Sequence, residues 1–376
     1  MSPEMETCCW DVIILGAGPA GLALAARLAS RKVLLLERQW SPAAGMRIGE
    51  SLPGAARVLL QRLGLFEEFL DGDHLERGTS IAIWDSNAPV WRDSLRDPSG
   101  PGWVIDRRQF EQMLLNAATQ RGAQIQYGCR DFQVSRGADD RWTLALDGDN
   151  TRHVAPVIVD ASGRSASLAR RLGLNHIRQD AQVCLHSFLM VPASDEDTTT
   201  RLVADEDGWW YSVRLANGHR VLAYHLDAKH PERIALQQPE ALFNRACRYP
   251  LLADVLAQVQ PAEIHCRPAG TALLDIANLD KAGPGFLAIG DAAITFDPIS
   301  SQGLFHSLAS AESAATAINA GCWHNPHAAQ SFQQELLAVA SHYLAKLRLT
   351  YQGPERFAEA PFWADRTMPL CRLPEA

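Results

Sequence analysis

The stretch Asp11-Val-Ile-Ile-Leu-Gly-Ala-Gly-Pro-Ala-Gly21, with Lys32-Val-Leu-Leu-Leu-Glu37 behind it, decides the fold. A short apolar run leads into the glycines and reads as a buried strand. The Ala- and Leu-rich segment from about Pro19 to Ala29 reads as a helix, and Val33 to Leu36 as a second buried strand. Parallel strands need such a crossover, so the segment predicts a β-α-β unit. Gly16, Gly18 and Gly21 form G-x-G-x-x-G, Pro19 and Ala20 open the helix, and Glu37 follows Gly16 by 21 residues. That spacing suits a dinucleotide: the glycines admit a pyrophosphate to the backbone, the helix start offers N–H donors, and the acid takes ribose hydroxyls. On these residues alone, NAD and FAD both stay open.

Downstream, Ser51 reads as the cap of a helix with Pro53 early and Gly64 at its end. Asp106 caps a second helix, with Gln109 as its capping-box partner and Phe110, Met113, Leu114, Ala117 and Ala118 on one face. Short strands fill about 124–159, up to Val157-Ile-Val-Asp160. Between about 180 and 265, strands rich in aromatic residues flank Asn217-Gly218, a two-residue hairpin signal. Pairing outward from that turn sets Tyr211 opposite Tyr224 and Trp210 opposite His225. Trp209, Tyr211, Val213, Leu222, Tyr224 and Leu226 then form a core face. Trp210, Ser212, Arg214 and His225 look at water or a cavity. A last apolar strand, Phe286 to Ile289, meets Gly290-Asp-Ala-Ala293, and Asp297-Pro-Ile-Ser-Ser-Gln-Gly303 opens an Ala-rich helix to about Asn319. A long helix from Pro326 and a Pro-containing end follow.

The chain has 376 residues, 47% hydrophobic and 21% charged, which is the make-up of a folded protein of two or three domains. Disordered, collagen-like and disulfide-knotted chains are excluded. With 35 basic against 43 acidic residues the net charge is −8, which argues against a dedicated nucleic-acid partner. The lysines are Lys32, Lys229, Lys281 and Lys346. Eight cysteines without a C-x-x-C pair read as reduced thiols of a cytoplasmic protein, Cys8 and Cys9 in a disordered lead. No signal peptide, membrane span or metal is expected; His324 and His327, with Asn325-Pro326 between them, read as a surface turn.

Gly16-Ala-Gly-Pro-Ala-Gly21, Glu37-Arg38, Asp160-Ala-Ser-Gly163 and Gly290-Asp-Ala-Ala293 resemble the motif set of FAD-dependent monooxygenases of the hydroxylase class. The resemblance covers roughly residues 10–330 and implies FAD rather than NAD. It places Asp291 near the ribityl and pyrophosphate, and turns Pro298, Ser301, Gln302, Gly303 and Leu304 toward the flavin ring. Arg107 matches the position of an arginine near FAD. Met46-Arg47-Ile-Gly-Glu50-Ser51-Leu-Pro53 resembles the G-E-S/A-x-x-P segment of the tryptophan halogenases and their non-halogenating relatives. The halogenases carry a lysine soon after that segment, and this chain has none between Lys32 and Lys229. Their W-x-W-x-I-P motif is only echoed in Gly208-Trp-Trp-Tyr-Ser-Val213.

What remains is most similar to the LodB/GoxB-type flavoproteins, which take part in converting a precursor tryptophan into a tryptophylquinone. The fold this implies is α/β (α+β overall): a Rossmann-like FAD-binding domain of the aromatic hydroxylase type with an antiparallel-sheet substrate domain. Residues 10–80, 101–177 and 266–330 would form the FAD-binding domain, 81–100 and 178–265 the substrate domain, and 331–376 a C-terminal helical segment. The implied chemistry is hydroxylation of a tryptophan of a quinoprotein oxidase precursor through a flavin C4a-hydroperoxide, with O2 as co-substrate and NADPH or NADH as a transient donor. A hydroxylase of a free aromatic molecule and an FAD-binding maturation scaffold are the alternatives. FAD contacts are expected from Gly16, Gly18, Pro19, Ala20, Gly21, Glu37, Arg38, Arg47, Ser51, Arg107, Asp160, Gly163, Gly290, Asp291, Pro298, Ser301, Gln302, Gly303 and Leu304. His225 and Trp210 on the polar hairpin face, with Glu50, are the candidate catalytic residues.

Overall fold

The computed structural model describes residues 6–42 and 46–367; the Pro-containing end and Cys371 lie outside them. Val12–Leu15, Val33–Glu37 and Gln124–Tyr127 extend to one side of a five-stranded sheet, and Val157–Asp160 and Phe286–Ala288 to the other. Every pairing is parallel. All but the edge strand Gln124–Tyr127 are buried on both faces, which explains their apolar sequences. Helix Pro19–Arg27 packs between helices Arg107–Gln120 and Gly303–Asn319, its small residues allowing close approach. A four-stranded sheet of Glu6–Cys9, Phe132–Arg136, Trp142–Leu146 and Thr151–Ala155 joins the same core. Cys8 and Cys9 are therefore not in a disordered lead: they pair in parallel with His153 and Val154.

The second layer is a seven-stranded sheet in the order His265–Pro268, Gln182–Met190, His219–Asp227, Gly208–Arg214, Thr200–Asp205, Thr79–Ile83 and Val90–Asp93. Its one parallel pairing joins Thr200–Asp205 to Thr79–Ile83. Helices Pro239–Ala246 and Pro250–Leu256 cover one face, against Trp210, Leu222, Tyr224 and Leu226. The other face turns toward the nucleotide-fold layer, where Cys184, Val213, Val221 and Ala223 meet Ile48, Leu75 and Val104.

The hairpin register corrects the expectation from sequence. Leu215 N–H donates to His219 C=O at 2.7 Å, so the loop is the three residues Ala216, Asn217 and Gly218, with Gly218 at φ +77°. A three-residue loop with glycine in the left-handed position competes with the two-residue turn for the same Asn-Gly signal. All pairs slip by one: Trp209 faces His225, Trp210 faces Tyr224, and Tyr211 faces Ala223. One residue of slip moves a strand's partners to the opposite face. Trp209, Tyr211, Val213 and His225 thus share the inner face, while Trp210 lies with Tyr224 under the helices.

Two cap expectations also change. Ser51 caps no helix: Ser51–Leu52 pairs with Trp103–Val104, and the helix starts at Ala56. Asp106 does cap Arg107–Gln120, accepting from Arg108 and Gln109 N–H. The Gln109 side chain, however, reaches Asp73 instead of returning to Asp106.

Candidate FAD site

A cleft of about 470 Å³ opens at the ends of the parallel strands, where α/β folds bind ligands. Gly16, Gly18, Glu37, Arg38, Arg47 and the run Ala161-Ser-Gly163 contribute to its walls. Gly16 has φ +108°, and a Cβ there would collide with the Ala161 carbonyl; one on Gly21 would collide with the Gly16 carbonyl. Those two glycines make the strand-to-helix turn possible. Gly18 is different. Nothing lies within 4 Å of the Cβ it lacks, and as the helix N-cap it leaves the first N–H donors without a side-chain partner. Pro19 occupies the first turn, and Ala20 abuts Gly290, whose φ is +57°.

Glu37 ends its strand with both carboxylate oxygens at the cleft, accepting from Ala17 N–H at 2.8 Å and Gln39 N–H at 2.9 Å. Arg47 pairs with Glu111 at 3.0 Å, and Arg107 donates to the same carboxylate at 2.5 Å and to the Gly49 carbonyl at 2.9 Å. Asp291 is half-buried, 3.8 Å from Arg164, a residue the motif reading passed over although it directly follows Asp160-Ala-Ser-Gly163. Burial pushes the Asp291 carboxyl up, with Arg164 and Arg107 acting against it. Pro298 through Gly303 stay open to solvent while Leu304 is buried. Helix Gly303–Asn319 starts without a side-chain cap, so its N–H groups are free to meet negative charge. The Ser51 hydroxyl and Arg107 Nε are buried polar atoms without partners among the described residues.

Asp160 is corrected. Its carboxylate is fully buried and accepts from Ser162 N–H, the Ser162 hydroxyl and Ala169 N–H at 2.6–2.9 Å. It fixes the turn that lines the cleft without facing the cleft. Trp210 is corrected too: it is buried, stacked on Tyr224 at 4.1 Å, and its indole N–H donates to Asp205. His225 lies on the inner face but lines no open space. It stacks on Trp209 at 3.6 Å, with both ring nitrogens unpartnered, and burial pulls it down to about 3. Glu50 is buried at the inner face, accepting from Gly49 N–H at 2.7 Å. Burial and then Glu50 raise the Tyr211 phenol well above its ordinary value.

Residues the motifs did not show come from the strand period of two. Gln182, Cys184, His186 and Phe188 alternate onto the inner face. Gln182 bonds Asp297, and burial followed by Glu50 raises the Cys184 thiol. His186 is buried with Nδ1 unpartnered, and lies 5.4 Å from the half-exposed ring of His265. Burial, then His265, pulls His186 down to about 4, so it is neutral at pH 7.

A family model for the FAD binding domain matches residues 9–321. The chain belongs to this flavoprotein family. Along its length it is similar to LodB of Marinomonas mediterranea, which carries the name of an FAD-dependent oxidoreductase. The two are 26% identical over 368 residues, covering 95% of this chain and 96% of LodB. The fold is shared with the myxobacterial FAD-dependent halogenase CndH, at TM-score 0.79 and 23% identity, over 96% of this chain and 86% of that one. It is shared also with QhpG, a peptidyl tryptophan dihydroxylase essential for tryptophylquinone cofactor biogenesis, at TM-score 0.73 and 24% identity, over 97% and 80%. The open cradle at Gly18 and the unpartnered donors of Ser51 and Arg107 fit FAD.

Replacing Asp291 with alanine removes the half-buried carboxylate beside Arg164 that the Gly290-Asp291 motif would turn toward FAD. FAD binding falls by roughly 10- to 100-fold, the worth of one charge-assisted bond. Flavin fluorescence titration of the apo chain measures it. The described residues contain no helix long and apolar enough to cross a membrane.

Proposed function

We propose that this FAD-dependent oxidoreductase is a monooxygenase that hydroxylates a tryptophan side chain of a partner precursor protein during tryptophylquinone maturation. The observation that carries the reading against halogenation is the placement of the lysines. Lys32 packs over Trp10, away from the cleft, and Lys229, Lys281 and Lys346 are all exposed, none of them on the inner face of the seven-stranded sheet. No ammonium is at hand to engage an oxidised halide. The fold shared with QhpG, named for its action on a peptidyl tryptophan, supports a protein-bound tryptophan as the substrate, and the match with LodB along the chain supports an FAD-dependent oxidoreductase.

Bound FAD would supply the redox chemistry, with O2 as co-substrate and NADPH or NADH as electron donor. The chain's own residues orient the substrate and exclude water. Phe188, half-buried on the inner face and backed by the buried cluster of Val213, Val221 and Ala223, would be the apolar contact for an aromatic ring. His186, held neutral, offers Nδ1 to an indole N–H. Such an acceptor increases electron density in the ring and favours attack on carbon.

O2 consumption by the reduced, FAD-loaded protein tests the reaction class. Uptake is expected to be independent of chloride and bromide and to rise with a tryptophan-bearing precursor. A halide-dependent, halogenated product contradicts the proposal. His186→Ala is expected to raise the apparent KM for the precursor at least about tenfold, the worth of one buried hydrogen bond, with FAD content unchanged.

A further inference from the structure

The long C-terminal helix Pro326–Gln352 lies outside the matched family region, yet two of its tyrosines reach the loop expected to face the flavin. The Tyr343 hydroxyl accepts from Asp297 N–H at 2.6 Å and is 2.6 Å from the Thr271 hydroxyl. Tyr351 donates to Asp297 Oδ2 at 2.8 Å and lies 3.0 Å from Gln182 Oε1, while Trp209 Nε1 donates to its oxygen at 3.1 Å. Gln182 Nε2 donates to the same Asp297 oxygen at 3.2 Å, and Asp297 Oδ1 accepts from Ile299 N–H at 2.9 Å. All of this is buried.

The hydrogens do not suffice for an ionised Asp297. Tyr351 has one hydroxyl hydrogen, and both Asp297 Oδ2 and Gln182 Oε1 require it. If the carboxylate takes it, Gln182 Oε1 has no donor. If Asp297 is protonated, it donates to the Tyr351 oxygen, which also accepts from Trp209, and Tyr351 donates to Gln182. Every atom is then served, with the heavy atoms unmoved.

We infer that Asp297 is a positioning residue that holds a proton for the loop 297–303, and that Tyr351 and Gln182 set when it is held. The C-terminal helix thereby becomes part of the flavin site. The inference rests on membership of the FAD family and not on the tryptophan-hydroxylating reading. The charged and titratable groups around Asp297 are Asp180 on the strand side, Arg366 and Tyr351 from the C-terminal helices, Tyr343, and Cys184 on the sheet. Asp180 is itself 3.8 Å from Arg366 and accepts N–H bonds from Gln182 and Thr271. Burial, then Asp180, pushes Asp297 up to about 6. A neutral Asp297 leaves the first turn of helix Gly303–Asn319 free to stabilise an anionic ring; an ionised one opposes it.

Infrared difference spectra of the full apo chain between pH 5 and 8 read the proton directly. The expected result is a protonated-carboxyl band that titrates near pH 6 and is absent from Asp297→Asn. In Tyr351→Phe both forms lose a bond, and the one to the ionised carboxylate is charge-assisted and the stronger, so the midpoint rises by about one unit. In the loaded protein, the pH dependence of FAD affinity should show the same break, which Asp297→Asn removes. Asparagine keeps the bond to Ile299 N–H, and circular dichroism verifies the fold of both variants. A band unaffected by Asp297→Asn, or an unmoved midpoint in Tyr351→Phe, overturns the inference.

Discussion

Gly18→Val leaves the apo protein as stable as the parent and removes its ability to retain FAD. Gly18 has φ −80° and ψ −178°, an extended conformation that any residue adopts, and no atom stands within 4 Å of the Cβ position. Folding stability is therefore expected to stay within about 0.5 kcal/mol. The added branch, however, occupies the approach to the N–H groups at the start of helix Pro19–Arg27. FAD affinity is expected to fall at least about 100-fold, close to 3 kcal/mol. Thermal melting of the apo chain and flavin fluorescence titration separate the two effects. Gly16→Ala is the contrasting variant: φ +108° and the collision with the Ala161 carbonyl make it a folding defect first.

Trp209→Ala and Trp210→Ala are expected to cost similar stability and to differ in what else they disturb. Both side chains are fully buried, so each truncation costs about 3–5 kcal/mol and lowers the melting midpoint by roughly 4–6 °C for a chain of this size. Trp209 stacks on His225 and donates to Tyr351, which bonds Asp297. Its loss should also weaken FAD binding several-fold. Trp210 lies across the sheet, bonded to Asp205, and its loss should leave FAD affinity unchanged. Equal effects on FAD would contradict the observed hairpin register.

The β-α-β unit, the parallel sheet and the approximate course of the aromatic strands are legible in the sequence, because each depends on spacing within one segment. The cleft glycines and Glu37 are legible for the same reason. The hairpin register is not: Asn217-Gly218 serves a two- and a three-residue loop equally well, and the choice is made by packing on both faces of the sheet. Ser51 and Asp160 show a second limit. A strand serine and a buried turn-former have the same local signature as a helix cap and a ligand contact, and only the pairing of Ser51 with Val104 and the bond from Ala169 distinguish them. The Asp297–Tyr351–Gln182 group is a third case. Its members are separated by up to 169 residues, so no local pattern announces them.

The proposed function requires that oxygen be transferred to a tryptophan within a protein. The most direct measurement is peptide mass spectrometry of a quinoprotein oxidase precursor after incubation with the FAD-loaded protein, a reductant and isotopically labelled O2. Labelled oxygen on one tryptophan of the precursor, absent when Gly18→Val replaces the parent, is the predicted result. A precursor that remains unlabelled while a free indole or phenol takes up the oxygen, or takes up a halogen, contradicts the account.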